Sequence, residues 1–594
     1  MKSFRDLYKS KNKKSKKSTF SNEQIINQAI QFHIQGNIQE AAKLYKQLIN
    51  QGCNDHRVFS NYGGLLQGKG KLQEAEKWYR KTIQFNPDYA IAHCNLGGIL
   101  KHFGNLKEAE ISVRKAIKLN PNLADAYSHL GVILHDLGNL KEAEFSIRKA
   151  IELNPDLAEA HNNLGNLLRD IGNLKKAEIS VRKAIELNPD LAEAHNNLGI
   201  LLNDLGNLDE AVISTRKAIE LNPDLAELHN NLGNLLRDIG NFREAEISLR
   251  KAIELNPDLA KAFYSLSLIK QSDEDKSWQD KLFCENILIN KSKKDLVNVY
   301  FARANILHKE KQYEESCQFL KLANELKLDI KPSEPNKLFR KSQSLLIDCN
   351  QIEINKEECR NYPESIFIVG MPRCGSTLLE SILSMSDDVY DLGEINILED
   401  SFLEFKKCNQ DINLAEIYKA KVHNMTKLNI TTNKWLYNYQ YAGIIARTIP
   451  NAKIIHCYRH PLDNILSIYR ANFTNGNEYS SSLSDSAKIY LHKDNIMTKY
   501  KNKFPSKIYD LNYDHLVIRP NQEIKSLISW LGWQWDNKYL SPHLNPRSVS
   551  TASAVQVRSP INTKSIGGWK NYKKMLKPAI EILTKKDKYK EITS

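Results

Sequence analysis

A chain of 594 residues is too long for one core, and about 150 residues per domain predicts three or four units. Hydrophobic residues at 41% and charged residues at 26% are globular values, which exclude a disordered chain. The net charge of +14 is uneven, because residues 1–17 hold seven Lys and one Arg against one Asp, half of the excess. No aromatic residues interleave a basic face as a nucleic-acid reader requires, so no nucleic-acid partner is expected.

The first segment, MKSFRDLYKSKNKKSKKS, has the positive charge of a signal peptide but no apolar run behind it. Residues 1–22 read as a solvated, disordered tail; contact with an anionic surface is the alternative. No stretch reaches the roughly 18 uncharged apolar residues of a membrane span, so none is expected, and the expected address is cytoplasmic. Nine cysteines, an odd number without a CxxC pair, argue against a disulfide framework and a zinc site. No metal is expected.

From residue 23 to 270 the chain repeats. Gly36, Gly70, Gly104, Gly138, Gly172, Gly206 and Gly240 recur every 34 residues, as do Pro87, Pro121, Pro155, Pro189, Pro223 and Pro257. A 34-residue period marks a helix–turn–helix solenoid. In one unit Leu164, Leu167 and Leu168, then Ala177, Val181 and Ala184, fall at helical spacing. Gly172 breaks the two helices, and the Asn-Pro pair ends the second. Gly165 and Ala177 are small where the helices must approach. The pattern resembles the tetratricopeptide repeat in seven regular copies. A degenerate copy follows within 271–337, where 300–326 keeps two helices without the signature Gly and Pro.

One polar position of each first helix also recurs: Asn61, Asn95, His129, Asn163, Asn197 and Asn231. Amide side chains carry both donors and an acceptor, the complement of an extended peptide backbone. Arrays of glycosyltransferases that bind peptide through an asparagine ladder are similar. A groove that holds a protein or peptide partner is one reading; bonding between neighbouring repeats is the other. His93, His161, His195 and His229, where a packing aromatic belongs, read as structural.

Regularity ends by 270, and the two prolines of 327–337 mark a hinge before a domain over 338–594. There SIFIVGMPRCGSTLLESIL (365–383) reads as a buried strand at 366–369, a Gly-rich loop and a helix. Loop amides and a helix N-terminus make an anion cradle. Gly370, Gly375 and Thr377 keep the spacing of G-x-x-x-x-G-K-[ST], but Ser376 stands at the lysine position. That departure disfavours a nucleoside-triphosphate kinase. A second strand-to-helix unit, 452–473, carries Arg459 and, eight residues on, Ser467, a second anion site.

Together PRCGSTLLESIL, Gly393-Glu394, the NKW segment, NAKIIHCYRHPLDNILS, YDHLVIRP and TASAVQVRSPINTKSIGGWKNY resemble the sulfotransferase family, in the branch related to protein-tyrosine sulfotransferases. The resemblance covers roughly 365–575. It implies 3′-phosphoadenosine 5′-phosphosulfate as co-substrate and no metal. Arg373, Cys374, Gly375, Ser376 and Thr377 would grip the 5′-phosphosulfate. Arg459 and Ser467 would hold the 3′-phosphate, and Tyr513, Ser553 and Arg558 would add contacts. Glu394 would be the general base, and Lys434 a cation near the bridging oxygen. Two positions depart from the family. Tyrosine-sulfating members carry GEE where Ile395 follows Glu394, and a basic residue precedes the tryptophan where Gly568 precedes Trp569. Lys564 and Lys570 are the substitutes in reach.

The sequence thus predicts an all-α tetratricopeptide solenoid followed by an α/β, P-loop-like sulfotransferase domain with a short parallel sheet. The predicted function is sulfuryl transfer to an acceptor hydroxyl, of a protein or peptide tyrosine or of a saccharide, with the repeats recruiting acceptor or partner. A repeat scaffold bearing an inactive nucleotide-binding domain is the alternative.

Overall fold

The computed structural model describes residues 21–269, 276–353, 364–408, 413–473, 476–545, 547, 549, 551 and 553–593. The basic stretch 1–20 lies outside them. Two compact units result, one up to Leu201 and one from Leu202.

The first unit is a run of antiparallel helix pairs, from Asn22–Ile34 with Ile38–Asn50 to Ala158–Asp170 with Leu174–Leu187. Each second helix is amphipathic: in Leu106–Leu119, Ala109, Val113 and Ala116 are fully buried, while Arg114 pairs with Glu110 in solvent. Within a pair the helices touch through small residues. A Cβ on Gly165 would sit 2.3 Å from Val181 Cγ2 and 3.2 Å from the Ala177 carbonyl oxygen. Gly172, at the turn, has φ +82°, which is why glycine recurs there. The repeating histidines are structural in a specific way: His161 Nε2 meets the Pro155 carbonyl oxygen at 2.9 Å and His195 Nε2 that of Pro189 at 2.9 Å, pinning the turn before the helix.

In the second unit the pairing continues in Ala226–Ile239 with Phe242–Leu255, and returns in Lys293–Lys309 with Tyr313–Ile330. The 327–337 segment consists of the end of that last helix, a short turn, and the start of Pro335–Gln351, which uses Pro335 in its first turn. These helices pack on the C-terminal domain. His308 Nδ1 and Ser316 Oγ lie 2.8 and 3.1 Å from the Tyr572 hydroxyl, and Asn324 donates to the Tyr469 carbonyl at 3.0 Å.

The domain's centre is a five-stranded sheet in the order β2-β3-β1-β4-β5, with β1 (Glu364–Gly370), β2 (Val389–Asp391), β3 (Ile430–Asn433), β4 (Ala452–Tyr458) and β5 (Ile508–Asn512). All pairings are parallel, with Phe367 opposite Asn433, Gly370 opposite Cys457 and Tyr458 opposite Asn512. A parallel strand covered on both faces is a continuous apolar run. Ile366 and Ile368 join a core with Leu379 and Leu527, while Phe367 and Val369 join one with Tyr418 and Ile445 on the other face. The architecture is the predicted one, a helical repeat array followed by an α/β domain with a short parallel sheet.

Candidate active site

Parallel pairing puts all five strand ends on one edge, and ligands of open α/β sheets bind outside that carboxyl edge. Every strand there delivers a sequence-predicted residue. The loop after β1 carries Arg373 to Thr377, the turn after β2 Glu394, the end of β3 Lys434, the end of β4 Arg459, and the end of β5 Tyr513. The Lys434 amide donates to the Gly393 carbonyl at 2.9 Å, continuing the ladder and bringing the β2 and β3 ends together.

The β1 loop is held in an unusual backbone. Arg373 has φ +66°, uncommon outside glycine, and Gly375 has φ +100°. A Cβ on Gly375 would lie 2.0 Å from Tyr513 Cδ2, so only glycine lets the loop pass beneath that ring. The Asn464 side chain donates to the Pro372 carbonyl at 2.8 Å and clamps the loop from the neighbouring helix Pro461–Tyr469. The Cys374 side chain is buried, and its amide donates to the Met371 carbonyl at 3.3 Å. This residue therefore serves the turn, while Gly375 and Thr377 offer amides at the start of helix Ser376–Leu383.

Arg373 donates to Ser467 Oγ (3.1 Å), Ser553 Oγ (2.6 Å) and Gln556 Oε1 (3.1 Å), all neutral acceptors. Among the described residues no carboxylate pairs with it. Burial, then the charges of Arg459 and Arg470, pull its guanidinium down to about 10. Arg459 is buried, lies over the Tyr513 ring at 5.0 Å and donates to the Ser565 carbonyl; its nearest carboxylates, Asp514 and Asp463, stand off at 3.9 and 4.0 Å. Its Nε is buried without a protein acceptor. Clustered arginines without close counter-ions suit an anionic ligand.

Beside this cradle lies a chain of charges. Lys434, 1% exposed, donates to Glu394 Oε1 at 2.7 Å, and Glu380 Oε2 stands 3.4 Å from its other side. Arg547 donates to Glu380 Oε2 at 3.1 Å and also to Asp391. Burial lowers the Lys434 ammonium, but Glu380 and Glu394 outweigh it and hold the group above its ordinary value. The Glu394 side chain remains half-exposed, open to an incoming group. Asn433 donates to the Ile395 carbonyl at 3.0 Å, so the asparagine of the NKW segment fixes the turn that carries Glu394.

Ser467 Oγ accepts from Arg373, so this hydroxyl ties the helix after β4 to the β1 loop. Ser553 also reaches Arg373; Thr377 Oγ1 is 3.3 Å from Thr551 Oγ1, and the Tyr513 hydroxyl is 2.9 Å from Ser565 Oγ. Arg558 points elsewhere. It donates to the carbonyls of Asn545 (2.7 Å), Arg547 (2.6 Å) and Asp238 (3.4 Å), tying the C-terminal segment to the end of a repeat helix. In the asparagine row, Asn163 donates to Ser128 at 3.0 Å and Asn197 to Asn162 at 2.9 Å, each in the preceding repeat. Sequence reading offers Glu380 only as a weaker candidate base on the loop helix, and it missed Arg547 and Asn464 as parts of the site. Arg547 has no local signal, since its partners are 156 and 167 residues away.

Comparison with known proteins fits this picture. A model described as the sulfotransferase family matches residues 402–537, and tetratricopeptide-repeat models match 90–123, 124–157, 158–191, 190–258 and 297–330. The chain joins tetratricopeptide repeats to a sulfotransferase-family domain. The sulfotransferase match includes Lys434, Arg459, Ser467 and Tyr513 and starts beyond the β1 loop. An uncharacterized protein of Aquifex aeolicus is 30% identical over 311 residues, 48% of this chain and 41% of that one. The chain thus spans under half of that relative's length. A putative protein-tyrosine sulfotransferase of Caenorhabditis briggsae is 26% identical over 237 residues, 35% of this chain and 81% of that one. Among solved structures, YrrB, titled a TPR protein with an unusual peptide-binding site, is 28% identical, with 32% of this chain and 96% of that one covered and a TM-score of 0.25. Among the described residues, no helix is long and apolar enough to cross a membrane.

Proposed function

We propose that the sulfotransferase-family domain moves a sulfuryl group from 3′-phosphoadenosine 5′-phosphosulfate to an acceptor hydroxyl, and that the repeats recruit the acceptor or a partner protein in the cytoplasm. The observation that carries this reading is the pairing of Glu394 with Lys434 beside an arginine cradle in which Arg373 donates to neutral groups and the carboxylates nearest Arg459 stand 3.9 and 4.0 Å away. The donor supplies an activated sulfuryl group and two anionic ends. The chain's residues fit those ends: Arg373 with the Gly375 and Thr377 amides suits the 5′ side, and the unpartnered Nε of Arg459 suits the 3′-phosphate.

The attacking hydroxyl must lose its proton as its oxygen bonds to sulfur and the sulfur–oxygen bond to the nucleotide breaks. Glu394 has the exposure to meet that hydroxyl and accepts the proton. Lys434 and Arg373 are fixed cations for charge on the transferring and leaving oxygens. Cys374 and Ser376 shape the loop. Ser467 and Ser553 keep the Arg373 guanidinium aimed, and Tyr513 covers Gly375. The similarity to a putative protein-tyrosine sulfotransferase supports a protein or peptide tyrosine as acceptor, ahead of a saccharide. Asn61, Asn95, Asn163, Asn197 and Asn231 are the residues proposed to meet a bound peptide. At Asn163 and Asn197, where neighbouring repeats take a donor, the carbonyl oxygen is the group offered to it. Incubating the chain with isotopically labelled donor and peptide libraries, followed by mass spectrometry, tests the reading. Absence of label on any hydroxyl would favour the scaffold alternative.

A further inference from the structure

The two carboxylates that flank Lys434 are not equivalent. Glu394 sits on the turn after β2 with its side chain 49% exposed, whereas Glu380 sits inside the helix Ser376–Leu383 with its side chain 2% exposed. A buried carboxylate is costly unless it is paired and hydrogen-bonded, so its partners hold the reason for its presence. Glu380 Oε2 faces Lys434 Nζ at 3.4 Å and accepts from Arg547 Nη2 at 3.1 Å; Oε1 has no protein partner. Arg547 is itself fixed by Asp391 and by Ser381 Oγ at 3.3 Å. The groups that face Lys434 are therefore Glu380 from the loop helix, Glu394 from the turn after β2 and Arg547 from the C-terminal segment.

The proposed function, on which this inference rests, has consequences for that arrangement. When Glu394 accepts the acceptor's proton its charge is lost, and its hold on Lys434 weakens at the moment the cation is needed. Only Glu380 then remains opposite Lys434, with Arg547 repelling it. We propose that Glu380 is a positioning residue for sulfuryl transfer, a fixed counter-ion that keeps Lys434 charged and in place while Glu394 gains and loses its proton. The Arg547–Asp391 pair orients Glu380 for this task. Glu380 is too enclosed to serve as the base itself, and its position on the helix of the anion loop couples the cradle to the acid–base pair.

The test uses the full chain with Glu380→Gln, which keeps shape and removes charge, and Glu380→Asp, which restores charge. Two readouts are followed: the pH profile of label transfer from the donor to a tyrosine peptide, and competitive acetylation of Lys434 by acetic anhydride across pH 7–11, with exposed Lys570 as internal standard. Loss of an adjacent opposite charge shifts a pKa by about one to three units. In Glu380→Gln the basic limb of turnover and the onset of Lys434 acetylation should both move about one unit or more to lower pH. The KM for donor should stay constant, and Glu380→Asp should return both toward wild type. An unchanged acetylation onset in Glu380→Gln overturns the proposal. If that variant does not fold, an onset in Glu380→Asp that falls by a full unit despite the retained charge overturns it as well. Absence of transfer by the wild type would refute the transferase reading instead, and acetylation would still decide what holds Lys434.

Discussion

Arg373 Nε donates to Ser467 Oγ across 3.1 Å, although the two residues stand 94 positions apart in the chain. The contact links the loop after β1 to the helix after β4, neighbours at the centre of the sheet. A parallel sheet makes such a meeting inevitable, because adjacent strands end on the same edge whatever the length of the crossover between them. The loop after β1 and the helix after β4, which look separate in sequence, are thus joined through one hydroxyl, and disturbing either should be felt in the other.

Glu394→Gln keeps the hydrogen-bond geometry toward Lys434 while removing proton acceptance. Turnover should fall by about 100- to 10,000-fold with donor affinity nearly unchanged. Single-turnover assays against Glu399→Gln provide the comparison, since Glu399 is occupied by Lys341 and Asn396. Near-normal turnover in Glu394→Gln would place the base elsewhere.

The isolated chain should bind adenosine 3′,5′-bisphosphate far better than ATP. Arg459→Ala removes a charge-assisted bond worth about 1.5–3 kcal/mol, a loss of roughly 10- to 150-fold in affinity. Titration calorimetry with both nucleotides measures it. Equal binding of ATP by the wild type would refute a 3′-phosphate site at Arg459.

Gly568, where related enzymes carry a basic residue, has room for a side chain: its nearest neighbour to an added Cβ is Asp463 Oδ1 at 3.7 Å. The segment is pinned by Asp463, which accepts from the Gly567 and Trp569 amides at 2.7 and 2.9 Å, while Trp569 stacks on His460. Gly568→Arg should therefore leave the fold intact and tighten bisphosphate binding by about tenfold, the worth of one modest charged contact. An unchanged Kd by calorimetry would mean that Lys564, Lys570 or the existing arginines already supply that charge.

Stability should fall with acid through one buried histidine. His456 on β4 is buried; desolvation, then the Lys493 charge, push it down to about 4, against the bond to Asp510 Oδ1 at 2.8 Å. A depressed folded-state value means that the unfolded chain takes up the proton first. Stability is then fully present above about 6.5 and is lost as pH falls toward 4, by an amount on the order of 3 kcal/mol. Urea midpoints between pH 7 and 4 should show this slope, and it should flatten in His456→Asn. A wild-type midpoint constant across that range would show that His456 protonates without cost.

Much of this protein is determined locally and is legible in its residues alone. The 34-residue period, the turn glycines and the Asn-Pro stops determine the helix pairs, because each depends on contacts within one or two turns of chain. Ile366–Val369 and the Gly-rich loop likewise announce strand, cradle and helix, and the type of each predicted site residue follows from the chemistry of an anion and a proton. Tertiary structure decided the rest. Cys374 looks like a loop ligand but packs inward, and Arg558 looks like a donor contact but caps three carbonyls, one of them on a repeat helix. Asn163 and Asn197 reach the preceding repeat through their amides, which a recurring letter does not reveal. Arg547, beside a proline, carries no motif at all, and Glu380, though it lies within the PRCGSTLLESIL motif, is one carboxylate on an otherwise apolar helix whose partners the motif does not name. Their roles come from burial: far from water a charge must find its opposite, and only the folded sheet edge brings Lys434, Glu380, Arg547 and Asp391 within reach of one another.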